Sequence, residues 1–195
     1  MKKTTTIIVI LAVLAAIVLW FVGKYNAMVT AEENVKTSWA QVENQYQRRS
    51  DLIPNLVATV KGYAAHESQV LESVVEARAK ATQVVVDPST TSPEQLAAFQ
   101  AAQGELSQAL GRLLAVAENY PDLKANQNFL ELQAQLEGTE NRITVARNAF
   151  NEAAQSYNVL LRRFPNNIVA SIFGFQQKAY FQAVEGADKA PTVEF

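Results

Sequence analysis

Val35, Trp39, Val42, Tyr46, Arg49, Ile53, Leu56, Val60 and Tyr63 follow one another in alternating steps of four and three. Such steps keep one side of a helix turned towards a partner helix over many turns. A chain carrying this stripe must therefore supply other long helices to cover it. Its one polar member, Arg49, lies in the run Arg48-Arg49-Ser50-Asp51, just before Leu52-Ile53-Pro54-Asn55. Pro54 removes one amide and crowds the preceding turn, so a kink is expected near residues 50–54. A kink is expected rather than a loop, because the register continues from Tyr46 through Arg49, Ile53 and Leu56 to Val60.

Upstream, Met1-Lys2-Lys3 precedes an uncharged run over residues 4–23. As a helix this run is about 30 Å long, enough to cross a bilayer. It is long for the apolar part of a signal peptide, and no small-x-small pair follows it, so an uncleaved single-pass anchor over residues 1–24 is expected. Trp20, Phe21 and Tyr25 cluster at one end as an interfacial aromatic belt. Lys2 and Lys3 on one side, against Lys24 offset by Glu32 and Glu33 on the other, favour a cytoplasmic amino terminus and an extracytoplasmic body.

Downstream, the pattern predicts an all-α fold: an antiparallel bundle of three long helices over residues 25–165, then a short helix and an aromatic tail over 166–195. The first soluble helix is expected over residues 31–86. Asp87-Pro88-Ser89-Thr90-Thr91 reads as a loop, and Ser92-Pro93-Glu94-Gln95 as a capping box with proline at the first helical position. The second helix carries Leu96, Phe99, Gln103, Leu106, Leu110, Leu113, Ala117 and Tyr120 on one face and ends at Pro121. The third runs over residues 122–163. Asn166-Asn167 can cap a helix of one to two turns that Gly174 ends. The tail beyond it is too apolar for a disordered terminus, and is expected to lie in a groove of its own bundle or of a neighbouring subunit.

Glu140 and Arg147 fall on the packing face of the third helix, and buried charges cost several kcal/mol each unless paired. A polar layer is therefore expected in which Arg49, with Asp51, meets Glu140 and Arg147. Length sets a second expectation. An unbroken helix over 31–86 would reach about 80 Å, while a helix over 93–120 covers about 40 Å. Val35, Trp39, Val42 and Tyr46 near the membrane would then need the third helix and the tail, or a second copy, to cover them. Self-association through that strip is the expectation.

The inventory of reactive groups argues against catalysis. The chain has one histidine and no cysteine, which excludes a thiolate nucleophile and leaves His66 without a second histidine for a zincin-like metal site. Neither phosphate-binding glycine motif occurs. No metal or other cofactor is expected. Arg48-Arg49 and Arg162-Arg163 are too few adjacent basic pairs for a nucleic-acid stripe, and the net charge of −2 provides no general attraction to one.

Several strings together resemble one bacterial family. They are Tyr25-Asn26, Trp39, the segment from Gln47 through Pro54 and Asn55 to Val57, Gly62-Tyr63, Glu140-Asn141-Arg142-Ile143, Ala146-Arg147, Phe150-Asn151, Tyr157-Asn158, Phe164-Pro165 and Val193-Glu194-Phe195. These look like the LemA proteins over nearly the whole chain. The resemblance implies an antiparallel helical bundle tethered by one amino-terminal helix, with no enzymatic activity. It also implies an amino terminus facing outside, against the charge pattern, which is kept here as the expectation. The functional expectation is a membrane-anchored scaffold that contacts lipid, self-associates and organises partner proteins at the bacterial envelope. The alternative is a ligand-binding sensor that uses the polar layer.

Overall fold

The computed structural model describes residues 2–182, and every regular element among them is helical. Helix α1 (Lys2–Tyr63) runs for 62 residues, from the apolar amino-terminal run into the body. Its amino-terminal part holds the one stretch among the described residues that is long and apolar enough to cross a membrane, and none of that window is buried. After a turn come α2 (Ser68–Gln83), α3 (Pro93–Ala117), the single turn α4 (Pro121–Lys124), α5 (Gln127–Arg162) and α6 (Asn166–Phe173).

The helix expected over 31–86 is two helices. Pro54 stays inside α1, and the chain reverses instead at residues 64–67, where the Ala64 amide donates to the Val60 carbonyl and the Glu67 amide to the Ala64 carbonyl. The long apolar stripe stops at Tyr63, so beyond that point no seam remains to hold the helix straight. His66 lies exposed in this turn.

The body is thus made of two antiparallel pairs. In the first, α1 lies along α5: the ring of Trp39 is 5.3 Å from Phe150, Arg49 meets Glu140, and the Asn126 amide group donates to the Tyr63 hydroxyl at the far end. In the second, α2 lies along α3, joined by Tyr120 to Glu67, Lys80 to Glu105 and Gln103 to the Ala81 carbonyl. The helix starts follow local chemistry. Ser92 and Gln95 form the expected capping box, with Pro93 at the first helical position. Asn126 caps α5 by accepting from the Phe129 amide, so α5 starts a few residues later than the proline alone suggests. Gly174 ends α6 with φ +74°, a left-handed conformation that costs glycine little.

Two apolar clusters fill the body. The distal one joins Ile53, Leu56 and Val60 to Leu71, Val74, Leu106, Leu113, Leu123 and Leu136. The proximal one joins Met28, Val35, Trp39, Val42 and Tyr46 to Phe99, Ile143, Phe150, Tyr157, Val169 and Phe181. Helices of 16 and 25 residues are about 24 and 38 Å long, whereas the 36 residues of α5 give about 54 Å. The shorter pair therefore covers only part of the proximal end of α1 and α5, where Phe99 of α3 packs against Trp39 and Tyr46. The segment over 175–182 and the loop around Val86 close it.

That closure corrects the expectation of self-association through this strip. Val35 and Val42 are wholly buried, and Trp39 and Tyr46 nearly so, within a single chain. The covering comes from α5, from Phe99 of α3 and from the tail of the same chain, and not from another copy. The closing Val193-Glu194-Phe195 lies outside the described residues.

Candidate functional site

Two sets of buried polar contacts tie the helices together. The first centres on Arg49, only 1% exposed although it carries a full charge. One terminal nitrogen of its guanidinium donates to Glu140 Oε1 and to Ser107 Oγ, both at 2.8 Å. The other donates to the Gln103 carbonyl at 3.3 Å and to the Gln103 side-chain oxygen. The guanidinium also lies 5.1 Å from the Tyr46 ring. Four of its five N–H groups are engaged, and its Nε has no partner among the described residues. With its terminal nitrogens taken up and its one remaining N–H, on Nε, shut off from water, this guanidinium presents no accessible fork to an incoming anion. The Glu140 side chain is 44% exposed, so only one member of the pair carries the full desolvation penalty.

The expected layer forms in part. Arg49 and Glu140 meet. Asp51 does not join them, because two residues along a helix is about 200° around it, and its carboxylate instead accepts from Gln47 one turn back. Arg147, two turns from Glu140, lies about 10 Å further along α5. It caps the tail, stacked 4.7 Å from the Phe181 ring and donating to the Gln182 carbonyl at 3.1 Å. Burial pushes the neighbouring Tyr46 hydroxyl above its ordinary pKa, although Arg147 and Arg49 pull it down.

The second set centres on a residue that no periodic signal in the sequence marks. Lys178, in the aromatic tail, is buried. Its ammonium donates to Glu32 at 2.7 Å and to the Ser89 carbonyl at 2.9 Å, and lies 5.3 Å from the Tyr157 ring. One side chain thus joins α1, the α2–α3 loop, α5 and the tail. Burial, and after it the Glu32 charge, holds the Tyr157 hydroxyl far above the usual tyrosine range, and that hydroxyl has no partner among the described residues.

The tail over 175–182 is neither helix nor strand, so its peptide groups need other partners. Three side-chain amides supply them. Asn158 accepts from the Lys178 amide and donates to its carbonyl, at 2.8 and 2.9 Å. Asn151 does the same for Phe181, at 2.9 and 3.0 Å, and Gln100 for Gln182, at 3.3 and 2.7 Å. The spacings match. Seven residues of α5 and three residues of extended chain each advance about 10 Å. This gives the Phe150-Asn151 and Tyr157-Asn158 pairs a physical role, since each places a ring in the core beside an amide that grips the tail. A lone lysine among Phe173, Phe175, Tyr180 and Phe181 was the available signal for the buried contact.

The side chains on α1 near Pro54 form a third arrangement. A proline leaves unpaired the carbonyl four residues before it, here that of Ser50, and Arg78 of α2 donates its Nε–H to that carbonyl at 2.9 Å. Asn55, next to Pro54, is exposed and takes no part. An open cleft of about 380 Å³ borders this region, with Tyr46, Ser50, Thr82, Phe99 and Gln103 in its wall. No group of three or more histidine, aspartate or glutamate side chains placed to hold a metal occurs among the described residues.

These arrangements hold helices together. The model of the LemA family matches residues 38–195. Magnetosome protein MamQ 2 of Paramagnetospirillum magneticum is 30% identical over 182 residues, spanning 85% of this chain and 67% of its own. Magnetosome protein MamQ of Magnetospirillum gryphiswaldense is 29% identical over 192 residues, 90% of this chain and 71% of its own. Protein LemA of Metamycoplasma hominis is 26% identical over 165 residues, 85% and 72%. With a family match over four fifths of its length, the chain belongs to the LemA family.

Proposed function

We propose that this chain is a non-catalytic scaffold anchored in the bacterial plasma membrane by a single helix, which self-associates and organises partner proteins beside the lipid surface. The observation that carries this reading is the continuity of α1: the apolar run and the central strut of the body are one helix of 62 residues. A helix that continues unbroken from the apolar run into the body holds partners bound to that body at a fixed height over the bilayer. Lys2 and Lys3 on one side of the apolar run, against Lys24 offset by Glu32 and Glu33 on the other, support a body on the extracytoplasmic side. Self-association belongs to the same reading and runs through a surface other than Val35, Trp39, Val42 and Tyr46.

The sensor alternative has less support, because the terminal Arg49 donors are already taken up by Glu140, Ser107 and Gln103 and its Nε–H is buried. The test is crosslinking of the full chain in native membranes followed by mass spectrometry, with an alkaline carbonate wash of the same membranes. The expected result is retention in the washed membranes, with crosslinks to other copies and to a reproducible set of neighbours. Release by carbonate, or turnover of a substrate by the purified chain, overturns the reading. Protease treatment of spheroplasts carrying a carboxy-terminal tag reads the orientation, and a tag degraded only after lysis reverses it.

A further inference from the structure

The outer face of α6 is apolar and bare. Val169 and Ala170 face the body and are buried, while Ile168, Ile172 and Phe173 are 46%, 63% and 53% exposed. Phe164, just before the helix, is 82% exposed. Ile168 and Ile172 are four residues apart and so form one stripe. An unpaired face of this kind on a soluble surface needs an occupant, and its height along α1 identifies one. The Phe173 ring lies 4.9 Å from that of Tyr25, about 3 Å beyond the end of the apolar run at residue 23. Phe21, inside that run, packs against the same cluster as Val169 and Ala170. The body therefore reaches down to the level of Phe21, and α6 lies beside the point where the apolar run ends. Arg162 and Arg163, both exposed, precede Phe164, and Lys24 lies over the Trp20 ring at 5.7 Å. Cations at that height suit phosphate head groups, and the apolar side chains suit the acyl boundary beneath them.

We infer that α6 is a second, interfacial membrane contact: its Phe164, Ile168, Ile172 and Phe173 face enters the outer few ångströms of the same bilayer that α1 crosses. This rests on the reading of α1 as a spanning anchor. The consequence is mechanical. One spanning helix leaves a body free to rotate and tilt, whereas a second contact beside it sets both. Because α6 leads directly into the tail segment gripped by Asn158, Asn151 and Gln100, the bilayer surface is linked to the closure over Trp39.

The chain has no cysteine, so single Ile172→Cys, Leu14→Cys and Val145→Cys variants of the full chain can carry a bimane label without background. Each is reconstituted in phosphatidylcholine and phosphatidylglycerol vesicles and quenched by aqueous iodide or by lipids spin-labelled high on the acyl chain. Leu14, within the apolar run, should respond to lipid alone. Val145, exposed on α5, should respond to iodide alone. Ile172 should respond to the spin-labelled lipid, with emission shifted to the blue relative to Val145, and Ile168→Cys one turn earlier should repeat the result. If Leu14 is lipid-quenched while Ile172 matches Val145 in iodide, the anchor stands and the interfacial contact is refuted. If Ile172 is shielded from both quenchers, a protein covers the face and the contact is again refuted. If Leu14 is quenched by iodide, the anchor itself fails and the inference with it.

Discussion

Arg78 on α2 donates its Nε–H to the main-chain carbonyl of Ser50 on α1, at 2.9 Å. That carbonyl is the one deprived of its helical donor by Pro54, and this replacement lets α1 continue through a proline without a break. The expected outcome is a loss of about 1–2 kcal/mol of stability for Arg78→Met, since a carbonyl on a buried residue loses a charged donor. Pro54→Ala restores the missing amide, so in the double variant the cost of Arg78→Met should largely vanish. Thermal unfolding of the four proteins in detergent, followed by helical circular dichroism, reads the cycle, and equal costs in both backgrounds would refute the pairing.

Arg49 and Glu140 form an unequal pair, and removing either should show it. Glu140→Ala strands a buried guanidinium and should cost about 2–4 kcal/mol. Arg49→Met leaves a carboxylate that water already reaches and replaces the charge with apolar volume, so it should cost less. Urea unfolding of both variants checks the order, and the reverse order would show that Gln103 and Ser107 suffice to hold Arg49.

Lys178 and Glu32 fasten the tail. Glu32→Gln leaves the buried ammonium with neutral oxygen partners alone and no opposing charge, and should loosen residues 175–182 before the helices are affected. Hydrogen exchange across that segment should rise while exchange in α5 stays unchanged. Uniform acceleration across both would mean that the contact stabilises the whole fold rather than the tail.

Tyr157 and Tyr46 have hydroxyl pKa values raised by burial. A raised folded-state pKa means that the unfolded chain loses its proton first. Stability should hold from neutral pH until the unfolded tyrosine value near 10 and fall above it. Tyr157→Phe removes a buried hydroxyl that lacks a partner, so at neutral pH it should match or slightly exceed the parent. Above pH about 10 it should be clearly more stable. Unfolding midpoints measured across this range test the sign, and parallel decline of the two proteins would count against it.

The stripe from Val35 to Tyr63, the apolar run over 4–23, the capping box at Ser92 and the stop at Gly174 were all legible in the sequence, because each is a local or periodic signal. So was the pairing of Arg49 with Glu140, since two charges on facing seams have few other partners. The turn at 64–67 was not. No proline marks it, and Gly62, the stripe's end and the weaker pattern beyond are its only local signals. The tertiary structure alone decided which face of α1 was left uncovered by helices of unequal length, and that the tail would cover it. The depth of Lys178, the reach of Arg147 and the use of Asn151 and Asn158 as partners for an extended segment all follow from that closure. They depend on register between segments far apart in the chain, which periodicity along one helix does not encode.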